Sequence, residues 1–149
     1  MIIDEFIWHQ LEKLYYLKPE IKCINSTDEQ IRNAEQEIGS MFSDLYRYYL
    51  KHHQVILLNI WKMYELRDPV NEMNDNFVVE ATRLFRRNHQ IPYDYRKWFI
   101  IGCHYEDKVS LLAMNKRREI WCLHDTGLSG ADKLADNFEE FLHQNVIHQ

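Results

Sequence analysis

Hydrophobic residues recur at helical spacing through the first two thirds of the chain. Residues 2–16 carry apolar side chains at every third or fourth position, which predicts an amphipathic helix. The same spacing predicts a helix from Ser43 to about His52, with Leu45, Tyr48 and Tyr49 pointing inward. It also predicts helices from Phe77 to Asn88 and in the closing segment ADNFEEFLHQNVI. The pattern therefore predicts a chain that begins with helices and ends with one.

The segment STDEQIRNAEQEIG contains signals for both ends of a further helix. Ser26 with Glu29, or Thr27 with Gln30, has the spacing of a capping box at the helix start. Gly39 follows the last apolar position, where glycine commonly ends a helix. The buried face of this helix is predicted to comprise Ile31, Ala34 and Ile38.

Charged residues are predicted on the outer surfaces of two of these helices. His52 and His53 stand at a predicted helix end, where we expect them to be solvated and to complement the helix dipole. Arg83, Arg86 and Arg87 are predicted to lie on the outer face of the helix that begins near Phe77, away from its apolar residues, among them Leu84.

The hydrophobic pattern changes in the last third of the chain. The runs WFIIGCHY, KVSLLAMN and REIWCLHD are short and apolar, with turn-like breaks between them, which predicts a three-stranded antiparallel meander. The earlier run VILLNIWKMYEL, residues 55–66, is predicted to enter the same sheet. Helices followed by strands and a final helix indicate an α+β fold, with helices packed against one antiparallel sheet.

Composition narrows the classes of function. The 149 residues suit one domain, residues 1–149, and 46% of them are apolar, which is enough for a core. A net charge of −5 argues against direct nucleic-acid binding and suits a basic partner. The first residues lack the features of a signal peptide, and no apolar run is long enough to span a membrane. We therefore expect a cytoplasmic protein without a membrane partner.

The stretch EIWCLHDT, residues 119–126, holds the residues that most suggest chemistry. Cys103, His104, Cys122 and His124 supply the atom types of a zinc site. In a meander, however, the first and third strands are about 9–10 Å apart, and adjacent residues of one strand face opposite sides. Glycine-rich elbows and phosphate loops are also missing from the sequence. We therefore predict no metal, no cofactor and no catalytic residues.

Two long segments resemble the SMI1/KNR4 (SUKH) superfamily. They are STDEQIRNAEQEIGSMFSDLYRYYLKHH and FIIGCHYEDKVSLLAMNKRREIWCLHD with LADNFEEFL, and the resemblance touches roughly residues 26–60 and 98–142. Where the superfamily often has Asn-Gly-Gly after the second helix, this chain has His53 and Gln54. The match is carried by Gly39, Gly102, Trp121, Asp125, Ala135, Phe138, Phe141 and Leu142.

The resemblance implies a SUKH-like fold and a function in binding. Many bacterial members look like immunity proteins that bind and neutralise a partner toxin, often a nuclease, and fungal relatives look like regulatory scaffolds. The first hypothesis is therefore a non-enzymatic immunity protein, a monomer or homodimer, whose partner is a cognate protein toxin. The alternatives are a regulatory scaffold, and a hydrolase or metalloprotein that uses the Cys and His residues. The predicted partner-binding residues are Trp61, Tyr64, Glu65, Asp68, Glu72 and Asp75.

Overall fold

The chain folds as an antiparallel sheet packed against helices, which confirms the predicted α+β class. The computed structural model describes residues 5–67, 77–87, 97–107, 109–124 and 130–147. In chain order the elements are α1 (Glu5–Leu17), a short 3₁₀ helix (Pro19–Ile21), α2 (Asp28–Ile38), α3 (Asp44–His52), β1 (Leu57–Leu58), β2 (Trp61–Met63), α4 (Val78–Arg87), β3 (Phe99–His104), β4 (Leu111–Met114), β5 (Ile120–His124), β6 (Gly130–Ala135) and α5 (Phe138–Ile147).

Helix α2 has the predicted ends, and one of its two predicted capping boxes forms. The Thr27 hydroxyl accepts the N–H of Gln30 at 3.1 Å, and the Gln30 side chain accepts the N–H of Thr27 at 2.9 Å. Gly39 follows with a left-handed φ of 66°, a conformation that glycine adopts without steric cost. The buried face comprises the predicted Ile31, Ala34 and Ile38, together with Glu35.

A buried carboxylate joins α2 to α3. Glu35 is only 5% exposed, and its Oε2 accepts the N–H of Phe42 at 2.7 Å. The same oxygen accepts two hydrogen bonds from the Arg47 guanidinium, at 2.7 and 3.2 Å. Buried charges are tolerated when they are paired and hydrogen-bonded in this way. The network therefore ties α2 to the start of α3 through one buried carboxylate.

The inward face of α3 differs in part from the prediction. Tyr46 and Tyr49 are fully buried and pack edge-on against Phe138 of α5, at ring-centroid distances of 5.0 and 5.2 Å. Leu45 and Tyr48, which were predicted to point inward with Tyr49, are only half-buried. Because apolar and aromatic residues occupy nearly every position of this helix, their spacing did not single out one face.

His53 is buried, so the prediction that it is solvated was wrong. Its ring stacks on Trp8 of α1 at a centroid distance of 4.7 Å, and its Nδ1 lies 3.3 Å from the Tyr15 hydroxyl. Burial lowers the pKa of His53 to about 4, so the ring is neutral at neutral pH and adds no charge to the helix end. His52, its neighbour, is exposed as predicted.

The strands of the sheet follow the chain in the order β1 to β6, each antiparallel to its neighbours. Strands β3, β4 and β5 form the predicted meander, and residues 55–66 contribute β1 and β2 as expected. Strand β6 was not predicted. Its sequence GADKLA exposes Asp132 and Lys133 at the edge of the sheet and has little of the apolar alternation that identifies a strand.

Sheet register confirms that Cys103 and Cys122 are kept apart. Cys103 pairs with Leu111, which pairs in turn with Leu123, whereas Cys122 pairs with Leu112. Because successive residues alternate between sheet faces, the two thiols lie on opposite faces with β4 between them. The described cysteines are all free and buried.

Helix α4 covers the part of β3 that β2 is too short to pair. The Thr82 hydroxyl accepts the N–H of Ile100 at 2.9 Å, which satisfies a backbone donor on that open stretch. The apolar residues that α4 buries include Val78 and Val79, whereas Leu84, predicted to be inward, is 42% exposed. The helix therefore packs along the strand edge through a face that its apolar spacing did not predict.

The prediction that Arg86 lies on the outer face of α4 was wrong. Its guanidinium donates to the carbonyls of Ile38 and Trp98, so it ties α4 to the end of α2 and to the segment before β3. Arg83 is half-exposed and lies 3.5 Å from a carboxylate oxygen of Glu37, while Arg87 is exposed as predicted. The helical pattern predicted that Arg86 lies in solvent. It instead donates to backbone carbonyls that the tertiary fold brings close to it.

Glycine is required at position 102, where β2 lies close to β3. A Cβ at this position would lie 2.3 Å from the carbonyl oxygen of Lys62. That distance is too short for two non-bonded atoms, so a side chain does not fit here. Four residues of the last third that carry the resemblance to the superfamily are buried in the core: Ala135, Phe138, Phe141 and Leu142. Within the described residues, no helix combines the length and hydrophobicity that a membrane span requires.

Candidate partner-binding site

A cavity of about 300 Å³ opens between α2, the residues that follow β2, and the start of α4. Its apolar wall includes Ala34 of α2, Leu66 after β2 and Val79 of α4. Gln54 and Glu65 supply an amide and a carboxylate to the same wall. We refer to it as the α2 cavity.

Backbone pairing fixes the side of the α2 cavity that carries Gln54. The Gln54 carbonyl accepts the N–H of Cys23 at 3.0 Å, and the neighbouring residues Lys22 and Val55 form an isolated antiparallel bridge. The connector before α2 is therefore held against the connection between α3 and β1. Gln54 lies two residues after the end of α3 at His52, so the end of that helix sets its position.

The opposite side of the α2 cavity is fixed by the first amides of α4. The Glu65 carbonyl accepts the N–H of Val78 at 2.8 Å, and the Leu66 carbonyl accepts the N–H of Val79 at 2.9 Å. The first N–H groups of a helix have no partner inside the helix, so these bonds satisfy donors that otherwise need water. The wall is thus preformed by hydrogen bonds.

An exposed apolar residue lies beside the α2 cavity. Ile24 belongs to the connector before α2, lines the cavity and is 90% exposed. Asn25, Ser26, Gln30 and Asn33 are the other lining residues from this part of the chain. The rim therefore combines one apolar contact with polar groups, the composition of many small binding sites.

The side-chain amide of Gln54 is buried, and one of its two polar atoms has no hydrogen-bond partner among the described residues. The residue is 1% exposed, and its Nε2 donates to the Tyr64 carbonyl at 2.8 Å. Its Oε1 is buried and has no hydrogen-bond partner among the described residues. Leaving a buried carbonyl unsatisfied costs about 1–3 kcal/mol, and here the unsatisfied acceptor belongs to a residue that lines the cavity.

The carboxylate of Glu65 has a different environment from the acids near it. It accepts a hydrogen bond from the Cys23 thiol; burial, reinforced by this carboxylate, raises the pKa of Cys23 to about 12. In the described part of the chain, the nearby ion pairs join Arg67 to Glu37 and Glu80 and leave Glu65 out. Glu65 therefore gives the cavity a carboxylate that is free to pair with a cation from outside.

The structure places three of the six predicted partner-binding residues. Glu65 lines the α2 cavity, whereas Trp61 and Tyr64 are 6% and 5% exposed and their rings are buried. The remaining three, Asp68, Glu72 and Asp75, lie outside the described residues. Contact between any of the six residues and a partner remains a prediction. Of the three residues that the structure places, Glu65 has a carboxylate and lines a cavity.

Strand β5 brings the residues of EIWCLHDT into an acid–histidine–hydroxyl arrangement. The Nε2 of His124 lies 2.8 Å from Asp132 Oδ2 on β6, and its Nδ1 lies 3.4 Å from Ser110 Oγ. The Sγ of Cys122 is 3.8 Å from the same Nδ1. We refer to these residues, with Asp107, as the His124 cluster.

The nucleophiles of the His124 cluster are held in unreactive states. The Ser110 hydroxyl donates to Asp107 Oδ2 at 2.8 Å, so its proton is directed away from His124. Burial raises the pKa of Cys122 to about 11, which keeps the thiol protonated at neutral pH. Among the described residues, no three His, Cys, Asp or Glu side chains are placed to hold a metal ion.

Sequence reasoning missed Gln54 and Ile24 as site residues. Gln54 appeared only as a departure from the superfamily pattern, although it is a polar residue directly before the apolar run VILLNIW. Ile24 is an isolated apolar residue in the polar connector KPEIKCINST. Each breaks the local polarity pattern, which is the only signal the sequence offered for either residue.

Comparison with known families gives one match that covers nearly the whole chain. A SUKH family model, described as SMI1-KNR4 cell-wall, matches residues 5–147. A search of curated proteins found no match. The matched region includes every element that forms the sheet, the helices and the α2 cavity. The chain therefore belongs to the SMI1-KNR4 (SUKH) family.

Proposed function

We propose that this protein is a bacterial immunity protein, which binds a cognate toxin in the cytoplasm and neutralises it by direct contact. It acts by occupying a surface of the toxin and not by chemistry of its own. Membership of the SUKH family, whose domains are generally non-enzymatic, supports a binding role.

The observation that carries this proposal is the α2 cavity. Its walls are preformed, and the side-chain Oε1 of Gln54 has no hydrogen-bond partner among the described residues. The Glu65 carboxylate accepts a hydrogen bond from the Cys23 thiol and takes no part in the ion pairs of the described chain. Preformed surfaces bind with less loss of conformational entropy than flexible ones. Together with the net charge of −5, this favours a basic protein partner.

The chemistry of the His124 cluster favours binding over catalysis. Its serine is hydrogen-bonded to an aspartate, and its thiol is protonated at neutral pH. Catalysis by a nucleophile requires a base directed at its proton, and Ser110 lacks that geometry. The cluster joins β4, β5 and β6 and is better explained as structural.

Co-expression tests the proposal. The protein encoded by the neighbouring gene is expressed alone and together with this chain, and growth and complex formation on size exclusion are measured. We expect growth arrest by the neighbouring protein alone, and restored growth with a co-eluting complex when both are present. A harmless neighbour, or equal toxicity with and without this chain, contradicts the proposal.

A second candidate function is a regulatory scaffold. It is favoured by the description of the matching family model as SMI1-KNR4 cell-wall. A scaffold predicts that affinity purification from the native host recovers several unrelated cellular proteins in stable amounts. An immunity protein predicts one dominant partner with a stoichiometry that does not change between growth conditions.

A further inference from the structure

We propose that the α2 cavity receives one basic side chain, a lysine or an arginine, from the protein that this chain binds. Glu65 neutralises the charge of that side chain, and the Oε1 of Gln54 accepts one of its hydrogen bonds. The identity of the partner as a toxin rests on the proposed function, whereas the chemistry of the cavity stands on its own residues.

Gln54 carries a buried acceptor, Oε1, that no described residue uses. Gln54 cannot turn its amide to satisfy Oε1, because Nε2 is already bonded to the Tyr64 carbonyl at 2.8 Å. The group that completes the site must therefore be a hydrogen-bond donor. Ammonium and guanidinium groups carry only donors, so they match an acceptor that has no partner.

Charge around the cavity selects a cation over a neutral donor. Arg67 lines the cavity, but its guanidinium donates to Glu37 and lies 3.5 Å from a carboxylate oxygen of Glu80. Its charge is thus shared between two acids, and Glu65 remains to attract a cation.

Volume and wall chemistry match a side chain better than a metabolite. The 300 Å³ cavity is at the small end of ligand pockets, which run from about 300 to 1,000 Å³. Ala34, Leu66 and Val79 provide an apolar passage, and Ile24 extends it to the surface. Lysine and arginine carry an aliphatic stem with a charged end, so their stem suits the wall and their head suits the acceptors.

Titration with side-chain analogues tests the cavity directly. The probes are n-butylguanidinium and n-butylammonium, and the readout is the NMR shift of the Gln54 side-chain amide. Pentanoate and 1-pentanol serve as an anionic and a neutral control of similar length. We expect saturable shifts with the two cations, and binding at least about tenfold weaker with the controls.

Variants with the same loss of charge locate the effect. Glu65→Gln is expected to weaken binding of the cations by about tenfold, because it removes a charge-assisted contact. Glu29→Gln, at an exposed position of α2 outside the cavity lining, should change it by less than about twofold. Because the unmodified chain is titrated first, the test does not depend on the folding of any variant.

The outcomes separate this inference from the proposed function. Shifts that do not saturate, that are equal for 1-pentanol, or that persist unchanged in Glu65→Gln overturn the cavity assignment. So does a toxin that is neutralised and bound equally by Glu65→Gln and the unmodified chain, although the immunity function then stands. Saturable binding of the cations without any neutralisation leaves the cavity assignment supported and removes the immunity function.

Discussion

The α2 cavity and the His124 cluster differ in how their polar groups are used. In the His124 cluster, Ser110, Asp107 and Asp132 are each hydrogen-bonded to a group within the cluster. In the α2 cavity, Gln54 Oε1 has no hydrogen-bond partner in the part of the chain that the structure describes, and Glu65 takes no part in the ion pairs found there. In the His124 cluster, the residue types that suggest catalysis form hydrogen bonds with one another. In the α2 cavity, Gln54 and Glu65 keep groups that a partner can contact.

The same contrast separates two glutamates. Glu35 is buried and accepts three hydrogen bonds, two of them from Arg47, so its contribution is to stability. Among the described residues, the one hydrogen bond to the Glu65 carboxylate comes from a thiol that burial keeps protonated. Because Glu65 also lines a cavity, its contribution is expected in binding. The two side chains carry the same charge, so their hydrogen-bond partners are what distinguishes the two roles.

Removing the satisfied glutamate should have the largest effect, and on folding. Glu35→Ala leaves the Arg47 guanidinium and the Phe42 N–H without their acceptor, which we expect to lower the free energy of unfolding by about 3 kcal/mol. Urea denaturation measures this change. Glu29→Ala on the same helix is the control, and an equal loss from both variants contradicts the role assigned to Glu35.

Reversing the charge of the available glutamate should affect binding and not folding. Glu65→Lys places a cation where the partner's basic side chain is expected, so affinity for the neutralised toxin should fall about 100-fold. Calorimetric titration measures the affinity, and a thermal melt verifies the fold. Glu29→Lys makes the same change of charge away from the cavity lining, and it should reduce affinity only slightly.

His53 should make stability depend on pH. Burial lowers its pKa to about 4 from the ordinary 6.5, so the unfolded chain takes up the proton first as pH falls. The stability associated with the neutral ring is fully present above pH 6.5 and is lost between pH 6.5 and 4, a decrease of about 3 kcal/mol. Denaturation across this range should show a flatter dependence in His53→Gln, and an unchanged slope contradicts the assignment.

Removing the thiol of the His124 cluster should have the smallest effect. Cys122→Ser replaces a buried protonated thiol beside His124 with a hydroxyl, so we expect a destabilisation of about 1 kcal/mol. Toxin neutralisation should be unchanged. A variant that folds but no longer neutralises the toxin would show that the cluster, and not the cavity, carries the function.

Local patterns predicted the elements better than they predicted exposed and buried faces. The caps at Thr27 and Gly39 and the meander β3–β5 follow from short-range spacing, so they could be read from the sequence. Arg86 and His53 could not, because the groups that bury them come from α2 and α1. Each needed contacts between residues more than 35 positions apart.

The site was less accessible to sequence reasoning than the fold. Glu65 was selected among acidic residues for its charge, but its value depends on which nearby cations are already paired. Gln54 is available only because the Tyr64 carbonyl occupies its other amide atom. Such availability is a property of the assembled structure and leaves no pattern in the chain.

Hydrogen–deuterium exchange on the complex with the neutralised toxin tests the central claim most directly. It compares amide protection in the free and bound chain at two places, the α2 cavity and the His124 cluster. We expect slower exchange on binding in residues 22–34 and 54–67, with little change in residues 109–124. New protection confined to residues 109–124, with none at the cavity, would contradict the account.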